Sequence, residues 1–357
     1  MSEILEVRAG STALQMIRDG GLPQSSVKVM AGASGGPKWF VLSGLDKALL
    51  SEYFRDRQQP LELLGTSAGS WRFSCYAQQN PLVAHECFEQ GYIHTRYSPK
   101  PDAHEISTKG RALIEEMISD QGVQEIIDNP VMRLNLIAVR SRGLTRSELP
   151  PVQLSGLLLA AAANAMSRNN LPSFFHRTLF HHPSYAEGST PAFYDYDELP
   201  TTRVGLNVNN VRDAVMASGS IPMAMEGVRN ISGAPAGIYR DGGVTDYHFD
   251  LPFHSGEGLV LYPHFYNRMI PGWFDKSWKK RMPSSNNTSN VVLISPSEEF
   301  ISKLPYGKIP DREDFKNLSD SDRIKYWQTV VSHSMRLGSE FLELVSSESI
   351  KRRVQSL

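Results

Sequence analysis

Short apolar runs alternate with longer segments of helical periodicity along most of the chain. The apolar runs predict strands over residues 27–31, 61–64, 134–139, 204–208, 237–240, 259–262 and 291–294. The longer segments predict helices over 37–53, 68–78, 155–168 and 211–218, with one or two closing helices over 321–352. Strands that alternate with helices are typical of a mainly parallel sheet covered by helices on both faces, so we expect an α/β protein.

The chain shows no Pro/Ser-rich linker that would separate two domains, so we expect its 357 residues to form a single domain. The least regular stretches are 99–107, 167–202 and 265–290. The last of these carries tryptophans beside basic residues: Trp273, Trp278, Lys276, Lys279, Lys280 and Arg281. This pattern fits either a long surface loop with partly buried aromatic rings or a segment that contacts a membrane interface.

Composition narrows the class of protein. Apolar residues make up 40% and charged residues 21%, and 37 Lys plus Arg balance 38 Asp plus Glu. This near-neutral balance argues against nucleic acid as a partner. Cys75 and Cys87 are too few for a disulfide framework or a zinc site, and the amino terminus lacks the basic start and apolar core of a signal peptide. With no apolar run of membrane-spanning length, we expect a cytoplasmic protein.

The sharpest local signal is a Gly-x-Ser-x-Gly sequence from Gly65 to Gly69, placed between a predicted strand and a predicted helix. Such a strand–turn–helix is typical of a nucleophile elbow, in which small neighbours let the serine hydroxyl protrude from the turn. The sequence therefore predicts Ser67 as a nucleophile. The N–H of Ala68, at the start of the next helix, would face a developing oxyanion.

A glycine-rich turn, Gly32-Ala33-Ser34-Gly35-Gly36-Pro37-Lys38, follows the first predicted strand. It matches neither the P-loop nor the dinucleotide-binding fingerprint, so a nucleotide cofactor is not indicated. In an acyl hydrolase, this turn would lie beside the elbow and present the N–H groups of Gly35 and Gly36 to the oxyanion.

The third signal is Asp241-Gly242-Gly243, which follows another short apolar run. By itself, an Asp-Gly-Gly tripeptide is most often a plain turn. Next to an elbow serine, Asp241 could accept the Ser67 proton directly, provided that partial burial keeps the pKa of its carboxyl from falling too low.

Together and in this order, the three segments resemble the patatin-like phospholipase family. The segment from Ala214 to Pro222 resembles the family's Ala-Ser-x-x-Ile-Pro sequence, so the resemblance covers about 27–252 and leaves 253–357 as an extension of sheet and helices. The chain departs from the family pattern at Ser34, where another glycine is usual, and at Trp39, where the loop usually closes with glycine.

The resemblance implies a three-layer α/β/α fold and a serine–aspartate dyad that needs no histidine, metal or cofactor. Ser67 is then the nucleophile and Asp241 its general base, while Gly35, Gly36 and Ala68 form the oxyanion hole. The supporting residues would be Lys38, Gly65, Gly69, Gly242 and Gly243. For Lys38, a plain surface position stays as open as a direct catalytic role.

Three alternatives remain open from the sequence. A Ser-His-Asp hydrolase shares the elbow motif, and its histidine would come from His248, His254, His264 or His333. A catalytically silent lipid-binding protein could share the fold. A metal site at His176, His181 and His182 is weakly indicated, because no helix-spaced carboxylate accompanies these histidines.

The expected substrate is an acyl ester of a lipid, with transient contact at a membrane surface. Phospholipids, neutral glycerides, lysophospholipids and thioesters are all compatible with the dyad. Two apolar clusters could line an acyl trough, although core packing is the simpler interpretation of both: 157–163, and the group Phe174, Phe175, Leu179 and Phe180.

Overall fold

One large sheet organises the part of the chain that the computed structural model describes, which comprises residues 3–186, 190–253, 256, 258–278 and 280–357. Within these ranges the sheet has 11 strands. They are β1 (Leu5–Ala9), β2 (Val27–Gly32), β3 (Leu61–Thr66), β4 (Met132–Ser141), β5 (Phe175–His181), β6 (Thr201–Gly205), β7 (Val228–Arg229), β8 (Ile238–Asp241), β9 (Leu259–Pro263), β10 (Val291–Pro296) and β11 (Gln355–Ser356).

The centre of the sheet is parallel. Its order is β11-β1-β10-β9-β2-β3-β4-β5-β6, and each neighbouring pair from β10 to β4 runs in the same direction. The central strands are almost entirely buried, as expected for near-continuous apolar runs covered on both faces. Antiparallel pairs join β1 to β10 and β4 to β5.

Helices flank this sheet. They are α1 (Ser11–Gly20), α2 (Ser43–Ala48), α3 (Ala68–Tyr76), α4 (Pro81–His94), α5 (Ala103–Met117), α6 (Asp120–Asp128), α7 (Pro150–Met166), α8 (Ala192–Asp195), α9 (Val211–Gly219), α10 (Gly243–Asp246), α11 (Glu298–Ser302), α12 (Asp314–Asn317), α13 (Asp320–Ser346) and α14 (Ile350–Arg353). The protein is thus an α/β protein with a large, mostly parallel central sheet, compatible with the expected three-layer arrangement. No helix in the described ranges is both long and apolar enough to cross a bilayer.

Strand β4 explains how the site is assembled. It pairs with β3 as far as Thr66, which lies opposite Ile137, and then with β8, whose Asp241 lies opposite Ala138. Because β3 is parallel to β4 and β8 is antiparallel to it, the carboxyl ends of β3 and β8 meet on the same side of β4. Ser67, which directly follows β3, and Asp241, the last residue of β8, are thereby brought together although they are 174 positions apart in the chain.

The predicted strands and helices match the structure in most places, with four corrections. The stretch 99–107, expected to be irregular, contains the start of α5 (Ala103–Met117). Residues 37–53 are helical but irregular: a 3-10 segment covers Gly36–Leu42, α2 follows, and a π-helical turn covers Leu49–Tyr53. The strand expected at 204–208 lies three residues earlier, as β6. The stretch 167–202, expected to be irregular, contains β5, whose sequence FHRTLFH is neither an apolar run nor a regular alternation of polar and apolar residues.

Candidate functional site

Ser67 is the single residue between β3 and α3. Its backbone has φ 51° and ψ −124°, a combination that L-residues rarely adopt. The strand holds the residue before it and the helix holds the residue after it, so the turn is sharp and the side chain is forced out of the sheet. Ser67 is 5% exposed. This is the elbow geometry that the sequence predicts.

Close backbone contacts explain the small residues around the elbow. A Cβ on Gly69 would lie 2.0 Å from the carbonyl oxygen of Gly32, because the first turn of α3 packs directly on β2. A Cβ on Gly65 would lie 2.6 Å from the backbone nitrogen of Ser70. The two predicted glycines therefore allow α3 to start immediately after β3, with its first turn against the neighbouring strand.

Asp241 is the last residue of β8 and lies beside Ser67. The Ser67 hydroxyl donates a hydrogen bond to Asp241 Oδ2 at 2.7 Å, and the N–H of Gly243 donates one to Asp241 Oδ1, also at 2.7 Å. Gly242 follows the aspartate and donates its N–H to the carbonyl of Ser218 at 3.2 Å. Both carboxylate oxygens are thus held in place, one of them by the candidate nucleophile.

The surroundings of Asp241 raise the pKa of its carboxyl. Burial is the main cause, because it disfavours the charged form. The hydrogen bonds from Ser67 and Gly243 and the positive charges of Arg312 and Lys276 act in the opposite direction. The net result is a carboxylate that is more basic than an exposed aspartate, as a group that must accept a hydroxyl proton requires.

Ser218 stabilises the elbow at Ser67 through the hydrogen bonds of its hydroxyl. Its hydroxyl donates to the carbonyl of Ile137 at 2.7 Å, accepts the N–H of Ser67 at 3.0 Å, and lies 2.8 Å from the hydroxyl of Ser70. The N–H of Ser67 is therefore already used. Ala68, as the first residue of α3, has an N–H without an intrahelical acceptor, which leaves it free for a ligand.

The glycine-rich turn faces the elbow from β2. Gly36 has a φ of +53°, which a residue with a side chain adopts only under strain, and it begins the 3-10 segment, so its N–H has no acceptor within that segment. Gly35 and Gly36 line the same cavity as Ser67. Ser34 fixes the turn to the elbow, because its hydroxyl is 2.9 Å from that of Thr66.

Lys38 also borders this cavity, but its ammonium group forms an ion pair with the Asp311 carboxylate. Asp311 lies far along the chain, in a region that the family resemblance does not cover. The contact lowers the pKa of the Asp311 carboxyl against the opposing effect of burial. Lys38 thus joins the glycine turn to the carboxyl-terminal part of the chain.

Two voids share Ser67 in their linings. A cavity of about 40 Å³ is lined by Ser67 and Asp241. A much larger groove of about 1380 Å³ also begins at Ser67 and Ala68, and its lining is mostly apolar. Leu157, Leu158 and Ala161 of α7 line this groove, whereas Phe175, Leu179 and Phe180 are buried in the hydrophobic core.

The histidines considered for a Ser-His-Asp triad are in other parts of the structure wherever they are described. None is among the described residues that line the cavity at Ser67. His248 is buried, accepts the N–H of Ile270 at 3.0 Å, and its pKa is well below the usual value because of burial. His264 is bonded to the backbone of Tyr266, and His333 lies on α13. His254 lies outside the described residues.

The histidines considered for a metal site have other partners. His176 Nε2 is 3.0 Å from the hydroxyl of Thr202, and His182 Nδ1 is 2.9 Å from that of Ser184. His181 Nδ1 is bonded to the carbonyl of His182. Across the described ranges, no three His, Cys, Asp or Glu side chains are grouped to hold a metal ion.

Two positively charged residues of the cavity lie outside the segments that carry the family resemblance. Arg312 precedes α12, and Lys276 follows the short 3-10 turn Trp273–Asp275. The Lys276 ammonium lies 4.1 Å from the centroid of the Tyr247 ring. The tryptophan-and-lysine pattern drew attention to Lys276 as a membrane contact only, and no pattern in the sequence marks Arg312.

Comparisons with known proteins add little. No family model and no curated protein matches this chain. A solved structure of VipD from Legionella pneumophila is similar to it at 11% identity and a TM-score of 0.33. The match covers 68% of this chain and 50% of the VipD chain, so the chain spans about half the length of that structure. A similarity this low carries no argument about function.

Proposed function

We propose that this protein is a serine acyl hydrolase of the patatin-like type, which cleaves carboxylic esters of lipids with a Ser67–Asp241 dyad. The observation that carries the proposal is the 2.7 Å hydrogen bond from the strained elbow serine to a buried carboxylate at the head of an apolar groove. A hydroxyl held by a buried base and open to an apolar cleft suits attack on an acyl carbon.

In the first step, the Ser67 oxygen attacks the ester carbonyl while Asp241 Oδ2 takes its proton. Negative charge then develops on the carbonyl oxygen. The N–H groups of Gly35, Gly36 and Ala68 supply the oxyanion hole, and each donor of this kind is typically worth about 3 kcal/mol of transition-state stabilisation. The protonated Asp241 gives its proton to the departing alcohol, and an acyl-enzyme on Ser67 remains.

In the second step, Asp241 takes a proton from a water molecule that attacks the acyl-enzyme. The proton then returns to Ser67 as the acid leaves. The Gly243 N–H stays on Asp241 Oδ1 and keeps Oδ2 directed at the nucleophile. The chain's own groups supply the base, the acid and the oxyanion donors.

A lipid ester suits the groove. The groove is large enough for an acyl chain, and its lining on α7 includes two exposed leucines, Leu154 (47% exposed) and Leu158 (63% exposed). Exposed apolar residues in the lining of the groove support transient contact with a membrane during substrate uptake. Thioesters and neutral glycerides remain compatible with the dyad itself.

The decisive test is hydrolysis of p-nitrophenyl esters of increasing acyl length, with EDTA present. We expect wild type to turn over, and both Ser67→Ala and Asp241→Asn to lose about 10³-fold or more in kcat. Ser339→Ala, an exposed serine on α13, is the matched control and should retain full activity. The acyl length that is cleaved fastest would measure the usable length of the groove.

Two results would contradict the proposal. An active Asp241→Asn variant beside an inactive Ser67→Ala variant would place the base on another residue and revive the histidine triad. A wild type that hydrolyses no ester and does not react with a fluorophosphonate at Ser67 would favour a silent lipid-binding protein.

A further inference from the structure

Positive charge is concentrated next to the candidate dyad. Lys38, Lys276 and Arg312 all line the cavity that contains Ser67 and Asp241. They come from three separate parts of the chain. Lys38 belongs to the glycine turn, whereas the other two lie in the carboxyl-terminal third, outside the segment that carries the family resemblance.

Among the residues that the structure describes, only one of these three cations has an anionic partner. Lys38 is paired with Asp311. Lys276 lies over the aromatic rings of Tyr247 and Trp273, 4.1 Å and 5.6 Å from their centroids. Within the described part of the chain, neither Lys276 nor Arg312 forms a hydrogen bond or an ion pair with a carboxylate.

Burial and the neighbouring positive charges disfavour the charged form of Lys276. Burial, followed by the positive charges of Arg312 and Lys38, lowers the pKa of its ammonium group to about 7. The carboxylates of Asp241 and Asp311 act in the opposite direction but do not compensate. Cations that are partly desolvated without a partner are unfavourable, and an anion bound between them would remove that cost.

The two unpaired cations also lie where the cavity meets the groove. Lys276 and Arg312 line both voids, together with Ser67. An ester whose acyl chain occupies the apolar groove would therefore have its carbonyl at Ser67 and its alcohol portion near the cations. A guanidinium suits phosphate and carboxylate groups because its N–H donors match pairs of their oxygens.

We propose that Lys276 and Arg312 form a binding site for an anionic group, a phosphate or a carboxylate, on the alcohol portion of the acyl ester. This site rests on the proposed hydrolase function for its role in catalysis. It makes the two residues determinants of specificity that favour charged amphiphilic esters over neutral glycerides. Binding of the anion itself does not depend on Ser67 chemistry.

The first experiment compares three esters that share the octanoyl chain and the phenol ring and differ in the group at the para position. The octanoyl ester of 4-hydroxybenzamide is neutral, that of 4-hydroxybenzoate carries a carboxylate, and that of 4-hydroxyphenyl phosphate carries a phosphate. The measured quantity is the ratio of kcat/KM for each anionic ester to that for the neutral one. We expect wild type to favour an anionic ester, and Arg312→Gln and Lys276→Gln each to lower this ratio about tenfold or more.

Two further variants sharpen this experiment. Arg312→Lys keeps the charge and should retain part of the preference. Arg336→Gln removes an exposed positive charge on α13 and should leave the ratio unchanged. A higher ratio for the phosphate ester would identify a phosphate site, and a higher ratio for the carboxylate ester a carboxylate site. Equal ratios in wild type, Arg312→Gln and Lys276→Gln would overturn the proposal.

The second experiment does not need catalysis. Calorimetric titration of the Ser67→Ala protein with hexyl phosphate and with hexanol should show tighter binding of the phosphate, and adding Arg312→Gln should weaken that binding about tenfold or more. If no ester is hydrolysed but this binding is seen, the hydrolase function is wrong and the anion site stands. If hexyl phosphate binds no better than hexanol, the anion site is wrong whatever the esterase activity.

Discussion

At the scale of single residues, Ser67 shows how the fold holds an unfavourable conformation. Its φ of 51° and ψ of −124° lie outside the regions that side chains normally permit, which typically costs about 1–3 kcal/mol. The residue is kept there by β3 on one side, by α3 on the other, and by the hydrogen bond from its N–H to Ser218. Strain of this kind at a buried hydroxyl is a common property of functional sites.

This strain predicts an unusual ranking of variants. Ser67→Gly and Ser67→Ala both remove the hydroxyl and its bond to Asp241, but only glycine can adopt the backbone angles freely. After allowing for the greater flexibility of glycine in the unfolded chain, we expect Ser67→Gly to be about 1 kcal/mol more stable than Ser67→Ala. Urea unfolding of both variants measures the difference. An alanine variant of equal or greater stability would show that the backbone is not strained.

At the scale of elements, the site depends on how closely α3 approaches β2. The Cβ of a residue at position 69 would lie 2.0 Å from the Gly32 carbonyl oxygen, a distance that requires the helix or the strand to move. Both elements are fixed by buried apolar neighbours, so little movement is available. The contact therefore sets the position of the elbow relative to the glycine turn.

We expect Gly69→Ala to destabilise the protein by about 3 kcal/mol or more, because overpacking against backbone cannot be relieved by a side-chain rotation. The matched control is Gly20→Ala in the last turn of α1, where an added Cβ meets nothing within 4 Å. That variant should be neutral or slightly more stable. Thermal unfolding of the two variants side by side tests this, and similar losses in both would contradict the close-packing interpretation.

The elements that the sequence predicts well are those set by local patterns. Strands β2, β3, β9 and β10 are mostly apolar runs, with one charged residue each in β2 and β3. The turns at Ser67 and Gly36 need small residues for steric reasons that are visible in the sequence. Strand β5 is not predicted because its sequence, FHRTLFH, has three consecutive polar residues at 176–178, so it is neither an apolar run nor a regular alternation, and it follows an irregular stretch. Its partners in the sheet, not its own pattern, make it a strand.

The candidate site was predictable only where its residues sit in motifs. Ser67 and Asp241 could be chosen from their glycine neighbours, but their contact depends on the register of β8 on β4, which no local pattern specifies. No pattern in the sequence marks Arg312, and the pattern that includes Lys276 indicates a membrane contact and not a place at the cavity. Each is one ordinary cation in a long loop, and its position at the cavity follows from tertiary packing.

At the scale of the whole molecule, the two ends of the chain are interleaved in one sheet. Strands β9 and β10, from the region after residue 252, lie between β1 and β2, and β11 pairs with β1. Helix α13 packs on α2 so closely that a Cβ on Gly44 would lie 2.2 Å from the Ser334 carbonyl oxygen. We propose on this basis that residues 1–357 form a single domain.

The proposal predicts one cooperative unfolding transition. Removing the region after residue 252 would expose the edge of β2 and leave β1 without its neighbour, so neither part should remain folded alone. Calorimetry should give equal calorimetric and van't Hoff enthalpies, and near-ultraviolet and far-ultraviolet circular dichroism should change together. Two separated transitions would show that the extension is a domain of its own.

The origin of Arg312 and Lys276 has a consequence for how this protein could be diversified. In the proposed hydrolase, the part of the chain that breaks the ester bond and the part that selects its charged group are encoded in separate stretches of sequence. Changes in the carboxyl-terminal loops could then redirect the enzyme to a different headgroup while Ser67, Asp241 and the glycine turn stay as they are. A library randomised at these loops is accordingly a practical starting point for engineering new selectivity.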